Sequence, residues 1–179
     1  MTSQAAYTLI TQAVMVRAAI DVKGMSLAQK VELTDEIHEK QPNLLASVLV
    51  LPRYGVDMIQ LEVPIHVLLV TFQAMKRSGS AWPLITEDVQ EGCLQRLTAT
   101  LRFSEGLTPE LAGQVTQRYL ADHREQFLLA FAYGYLGDHD LLRVRTDAEK
   151  FLLLAVFNLV ECVAFVGPNL KPASAAKQR

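Results

Sequence analysis

The sequence predicts an all-α fold, a single-domain bundle of about seven helices, on three observations. Apolar residues recur at helical spacing, as in Leu9, Ala13, Val16 and Ile20, or Val89, Cys93, Leu97 and Leu101. No segment sustains the apolar-polar alternation of a half-buried strand. Helix-starting and helix-stopping residues stand at the edges of the periodic runs. The chain has 179 residues, half of them hydrophobic and 20% charged. That is enough apolar material for one core without staples.

The first helix is expected near 3–22 from its apolar spacing. Ser26 with Gln29 matches a capping box, in which each residue satisfies an orphan N–H of the other, and starts a second helix over 26–40. A third, near 43–51, is apolar on more than one side and runs into the turn Leu51-Pro-Arg-Tyr-Gly55. The fourth is expected over 56–77, with Pro64 inside it. There the ring removes a backbone donor and predicts a kink. Lys76-Arg77-Ser78-Gly79 stops it at the residue that most easily turns left-handed. The fifth, over 86–104, is amphipathic, with Glu87, Glu91, Gln95, Thr98 and Arg102 toward water, and it stops at Ser104-Glu105-Gly106.

Thr108-Pro109-Glu110 combines a cap, a first-turn proline and an acid at the positive end of the dipole, and it starts a sixth helix over 108–136. Within it, the polar run Asp122 to Gln126 marks a break or exposed turn. Thr146 and Glu149 match a second capping box and start the last helix, over 146–166. The runs 43–51, 56–75 and 151–166 are apolar on more than one side and form the expected centre, with the C-terminal helix buried in it. The domain is expected over 1–167, with 168–179 as a small, polar, mobile tail.

Composition then narrows function. A net charge of -2 and a pI near 6.1 give no field that gathers nucleic acid, and the 26–40 helix holds more acids than bases, so no nucleic-acid partner is expected. Cys93 and Cys162 lie inside apolar helical patterns with no CxxC spacing, which predicts buried free thiols in a reducing compartment. The first residues lack a basic run followed by a long apolar stretch, and the cytoplasm is the expected location. The 17-residue run Phe151–Gly167 is short for a bilayer span and carries Asn158 and Glu161, which argues for a buried helix rather than membrane insertion. The chain contains no G-x-x-x-x-G-K-[ST], G-x-G-x-x-G, G-x-S-x-G or H-E-x-x-H. Phosphate-loop, dinucleotide, hydrolase and zincin chemistries therefore lack their starting evidence, and the sequence names no cofactor.

Several polar groups stand out against this apolar background. Glu62 and His66 are four apart in the fourth helix, flanking Pro64, where a carboxylate can fix an imidazole tautomer. Glu161 is the least expected charge, because its own helix is the most hydrophobic; it needs a partner or a rim position. Convergence of Glu161 with His66 is expected to make a ligand-binding or catalytic pair. Asp35 and His38, three apart on one helix face, and the run Asp138-His139-Asp140 offer metal-type ligands. Neither has the doubled Glu-x-x-His pattern of a di-metal bundle.

Phe127, Phe131 and Tyr135 step by four along one helix, and Trp82 sits in a turn; these are candidate interface residues. The resulting expectation is a soluble helical interaction or regulatory protein that self-associates, as a homodimer, through apolar faces of 151–166 or 127–136. The alternative is a helix-bundle ligand-binding protein or metal-dependent enzyme with its site near Glu62, His66 and Glu161.

Overall fold

Thr11 accepts the backbone N–H of Val14 at 3.3 Å and so begins the first helix. The computed structural model describes residues 9–104 and 108–167. Among these residues the fold is all-helical, with no strand: α1 (Gln12–Gly24), α2 (Leu27–Lys40), α3 (Pro42–Leu49), a 3-10 turn (Leu51–Tyr54), α4 (Glu62–Arg77), α5 (Glu87–Ser104), α6 (Pro109–Asp122), α7 (Gln126–Asp138) and α8 (Asp147–Val166).

The capping signals act at short range, and most of them form as expected. The Ser26 hydroxyl accepts from Gln29 N at 3.3 Å while the Gln29 side chain accepts from Ser26 N at 2.9 Å. Thr146 accepts from Glu149 N at 3.1 Å, but the Glu149 carboxylate reaches back one residue further than a capping box, to Arg145 N at 2.6 Å. Thr108 caps α6 through Leu111 N at 3.5 Å.

Three expectations are corrected. α1 begins at Gln12 rather than near residue 3, because Thr11 is its cap; residues 3–8 lie outside the described residues, as do Glu105-Gly106 and the expected tail over 168–179. The file Ala13, Val16 and Ile20 is exposed. α1 instead lays Met15, Ala18 and Val22 on the core, a second apolar file whose small Ala18 allows close approach to α4. Pro64 does not kink α4, since the helix starts at Glu62 and places the proline in its first turn, where an N–H has no intrahelical acceptor to lose. The break or exposed turn expected at the polar run 122–126 is present, and it divides the helix expected over 108–136 into two where His123 takes an extended conformation.

α8 runs through the centre, touching α3, the 3-10 turn, α4, α5 and α7, and α4 lies beside it under α1, α2 and α3. Leu152, Val156, Leu159, Val160 and Val163 of α8 join Val67, Leu68, Val70 and Phe72 of α4 in one core. Among the described residues, no helix is long and apolar enough to cross a membrane. The connection between α4 and α5 is held by amides: Gln41 donates to Pro83 O at 2.8 Å and accepts from Ile85 N at 2.9 Å, and Asn158 donates from α8 to Gln90 O at 3.1 Å. The last of these bonds ties α5 directly to α8.

Candidate functional site

Glu161 sits on α8 at the edge of its buried face, with a side chain 25% exposed. Tyr119 of α6 and His123, the residue that ends α6, meet it there. The Tyr119 hydroxyl donates to Glu161 Oε1, and His123 Nε2 lies 3.2 Å from the same oxygen. The Glu125 backbone N–H donates to His123 Nδ1 at 3.2 Å. An imidazole nitrogen that accepts carries no proton, so the ring proton resides on Nε2 and is donated to Glu161. The break between α6 and α7 creates this arrangement, because the extended backbone at His123 turns its ring inward and leaves the side chain 5% exposed.

Glu125 anchors the break in turn. Its buried carboxylate accepts Leu9 N and Ile10 N, both at 3.1 Å, which ties the segment before α1 to the α6–α7 joint. Leu9 and Glu125 both lie close to Gly167, where an added Cβ would stand 3.1 Å from Leu9 Cδ1.

The cluster opens on a cleft of about 550 Å³ between α5, α6 and α8. Arg96, Arg118 and Arg124 line it, with Val115, Ala164 and Phe165 as apolar wall. The Arg96 guanidinium lies 4.8 Å from the Phe165 ring centroid and donates to Cys93 Sγ at 3.1 Å. Arg118 pairs with Asp122 at 3.4 Å on the outer rim. Among the described residues, neither Arg96 nor Arg124 forms a carboxylate ion pair.

The electrostatics follow from burial. Burial pushes the Glu161 carboxyl above the ordinary glutamate range, partly offset by the positive charge of Arg96. Burial also lowers the His123 pKa, which keeps the ring neutral. The thiols of Cys93 and Cys162, in contact with each other behind the cleft, are both pushed up by burial and stay protonated.

The sequence-predicted site residues fall elsewhere, apart from Glu161. His66 packs on α7, its ring stacked on Tyr135 at 4.5 Å and 6.3 Å from Phe131, and Tyr135 in turn lies 4.4 Å from His139. Burial, then Lys30 and His139, lower the His66 pKa. Glu62 is exposed and makes no bond to His66, and neither residue lines the Glu161 cleft. The structure therefore does not join Glu62, His66 and Glu161 into one site.

The potential metal ligands remain apart as well. Asp35 and His38 are exposed on α2. Asp140, with φ of 55°, pairs with Arg145, and His139 Nδ1 donates to Tyr135 O at 2.8 Å. Among the described residues, no three His, Cys, Asp or Glu side chains come together as a ligand set. Trp82 folds back on α4, donating to Met75 O at 3.0 Å and Ser78 Oγ at 2.9 Å. Phe127 lines a shallow groove of about 320 Å³ with Leu120 and Tyr133, while Phe131 and Tyr135 are half-buried against the core.

Tyr119, Arg96 and His123 are site residues that the sequence reading leaves out. One signal for them was present, since Tyr119 and His123 stand four apart and so share a helix face entering the polar run. Comparisons with protein-family models, with curated proteins and with solved structures find no match to this chain.

Proposed function

We propose that this protein binds a small organic anion, a carboxylate head on an apolar body, in the cleft between α5, α6 and α8. The observation that carries this reading is Arg96, held on the cleft wall by Phe165 and Cys93 with no carboxylate ion pair of its own. A planar guanidinium fixed in this way is preorganised for bidentate contact with a carboxylate. Arg124 adds a second cation, and Val115, Ala164 and Phe165 offer apolar contact to the rest of the ligand. Isothermal titration with benzoate and octanoate tests the reading. The expected result is one site per chain, weakened about tenfold or more by Arg96→Gln, the loss of a charge-assisted contact of roughly 1.5 kcal/mol. Equal affinity in the variant overturns it.

A second reading, self-association, is supported by a separate observation. α1 exposes Val16 (51%) and Ile20 (58%), and α2 exposes Leu27 (80%) and Val31 (52%), each pair four apart on its helix. A second copy of the chain is the occupant proposed for these faces, as a homodimer. Two buried free thiols support a reducing, cytoplasmic setting.

A further inference from the structure

Resting on the anion-binding reading above, we infer that the cleft takes up its anion together with one proton, and that Glu161 is the group that receives it.

Geometry carries the argument. Glu161 Oε1 accepts two hydrogen bonds, from Tyr119 and His123, whereas Oε2 has no donor among the described residues. The positive charge acting on Glu161 is Arg96, the same guanidinium that a bound anion takes. Seating an anion there places two negative charges in one half-buried cleft while engaging the cation whose charge partly offsets the burial of the first. Two acids sharing such a site do not both stay ionised, and the one whose charge is less well solvated takes a proton. Protonated at Oε2, Glu161 then donates to the anion in place of repelling it.

The neighbours leave no better acceptor. On α5, Arg96 is a permanent cation and Cys93 is already a thiol. On α6, Tyr119 keeps its phenolic proton for Glu161, Arg118 is cationic, and Asp122 is exposed and paired with Arg118. At the joint, Arg124 is cationic, and His123 already carries a proton on Nε2, with Nδ1 occupied by the Glu125 N–H. On α8 itself, Cys162 is a buried thiol.

The experiment uses the full chain with benzoate as probe, between pH 6 and 8, where the probe stays ionised. Proton uptake is read with a pH electrode in weakly buffered chloride, and affinity by calorimetry in Tris and triethanolamine, whose cationic forms do not compete. Up to one proton taken up per benzoate bound is expected, with affinity falling as pH rises, by at most tenfold per pH unit. Glu161→Gln keeps the acceptor for Tyr119 and His123, and is expected to bind benzoate with no proton uptake and a flat pH profile. Tyr119→Phe removes one donor to the carboxylate, and is expected to shift the pH profile upward; it provides the second readout should Glu161→Gln fail to fold. Binding of benzoate without proton uptake overturns this inference and leaves the anion-binding reading standing. No binding of benzoate or octanoate anywhere in the range overturns both.

Discussion

Glu125 does at the scale of one residue what a disulfide or metal often does in a small protein: it fastens two distant pieces of chain. Its side chain is nearly inaccessible, the residue being 2% exposed, and it holds the N–H groups of Leu9 and Ile10. Glu125→Ala leaves those donors buried without their acceptors and is expected to destabilise the fold by about 3 kcal/mol, read from urea unfolding; Glu125→Gln, which keeps one acceptor, is expected to lose less. A fall below about 1 kcal/mol for the alanine variant would show that the N-terminal segment rests on other contacts. His66 and His123 set the acid response. Both have pKa values lowered in the folded chain, chiefly by burial, so the native state binds fewer protons than the unfolded one below the ordinary histidine value. Their contribution to stability is therefore complete above about pH 6.5 and is lost as pH falls through the folded values, at most about 1.4 kcal/mol per pH unit for each ring. His66→Phe retains the stack on Tyr135 and removes one titration; unfolding followed from pH 7 to 5 is expected to show a shallower decline than the natural chain, and an identical slope would exclude His66 from the response.

Among the elements, what was legible in the sequence is what acts locally. Ser26, Thr108 and Thr146 cap their helices because a side-chain oxygen needs only the next three residues to do so. Pro64 is ambiguous in the sequence because the same local chemistry breaks a helix interior and suits a first turn, and only the position of the helix start decides between them. Glycines separate along the same line. Gly55 ends the 3-10 turn at φ 88° with room for a Cβ, 3.7 Å from that of Ala148, so Gly55→Ala is expected to cost about 1–2 kcal/mol through backbone strain alone. Gly24 is the last helical residue of α1, it is not among the glycines with positive φ, and nothing lies within 4 Å of an added Cβ. Gly24→Ala is expected to stabilise by about 0.5 kcal/mol, through helix propensity and a less flexible unfolded chain. Paired thermal melts test the contrast, which collapses if both variants move in the same direction.

At the scale of the whole molecule, the sequence stops being decisive where two faces of one helix both look buriable. α1 carries two apolar files, and periodicity alone does not choose between them; α4 does, by accepting Met15, Ala18 and Val22 and tying Asp21 to Gln73 at 2.9 Å and to Arg77. The site was hidden for a related reason. Glu161 was conspicuous as a charge in an apolar helix, but its partners come from 38 and 42 residues away, a separation no local spacing encodes. The file that α1 leaves outside the core is free to meet another surface. Val16 and Ile20, with Leu27 and Val31 on α2, expose apolar side chains on helices otherwise fastened to α4 by ion pairs, Asp21 of α1 with Arg77 and Glu36 of α2 with Lys76. If these faces meet a second copy of the chain, light scattering over a dilution series should show a mass that falls from twice 19.9 kDa toward one chain. Ile20→Glu with Leu27→Glu should hold the protein at one chain at every concentration without lowering its melting temperature, because both side chains already face water within the single chain. A protein of single-chain mass even when concentrated removes the dimer, whereas a dimer that survives both charges moves its interface elsewhere, to the groove beside Phe127 or the exposed edge of α8 at Phe151 and Phe165.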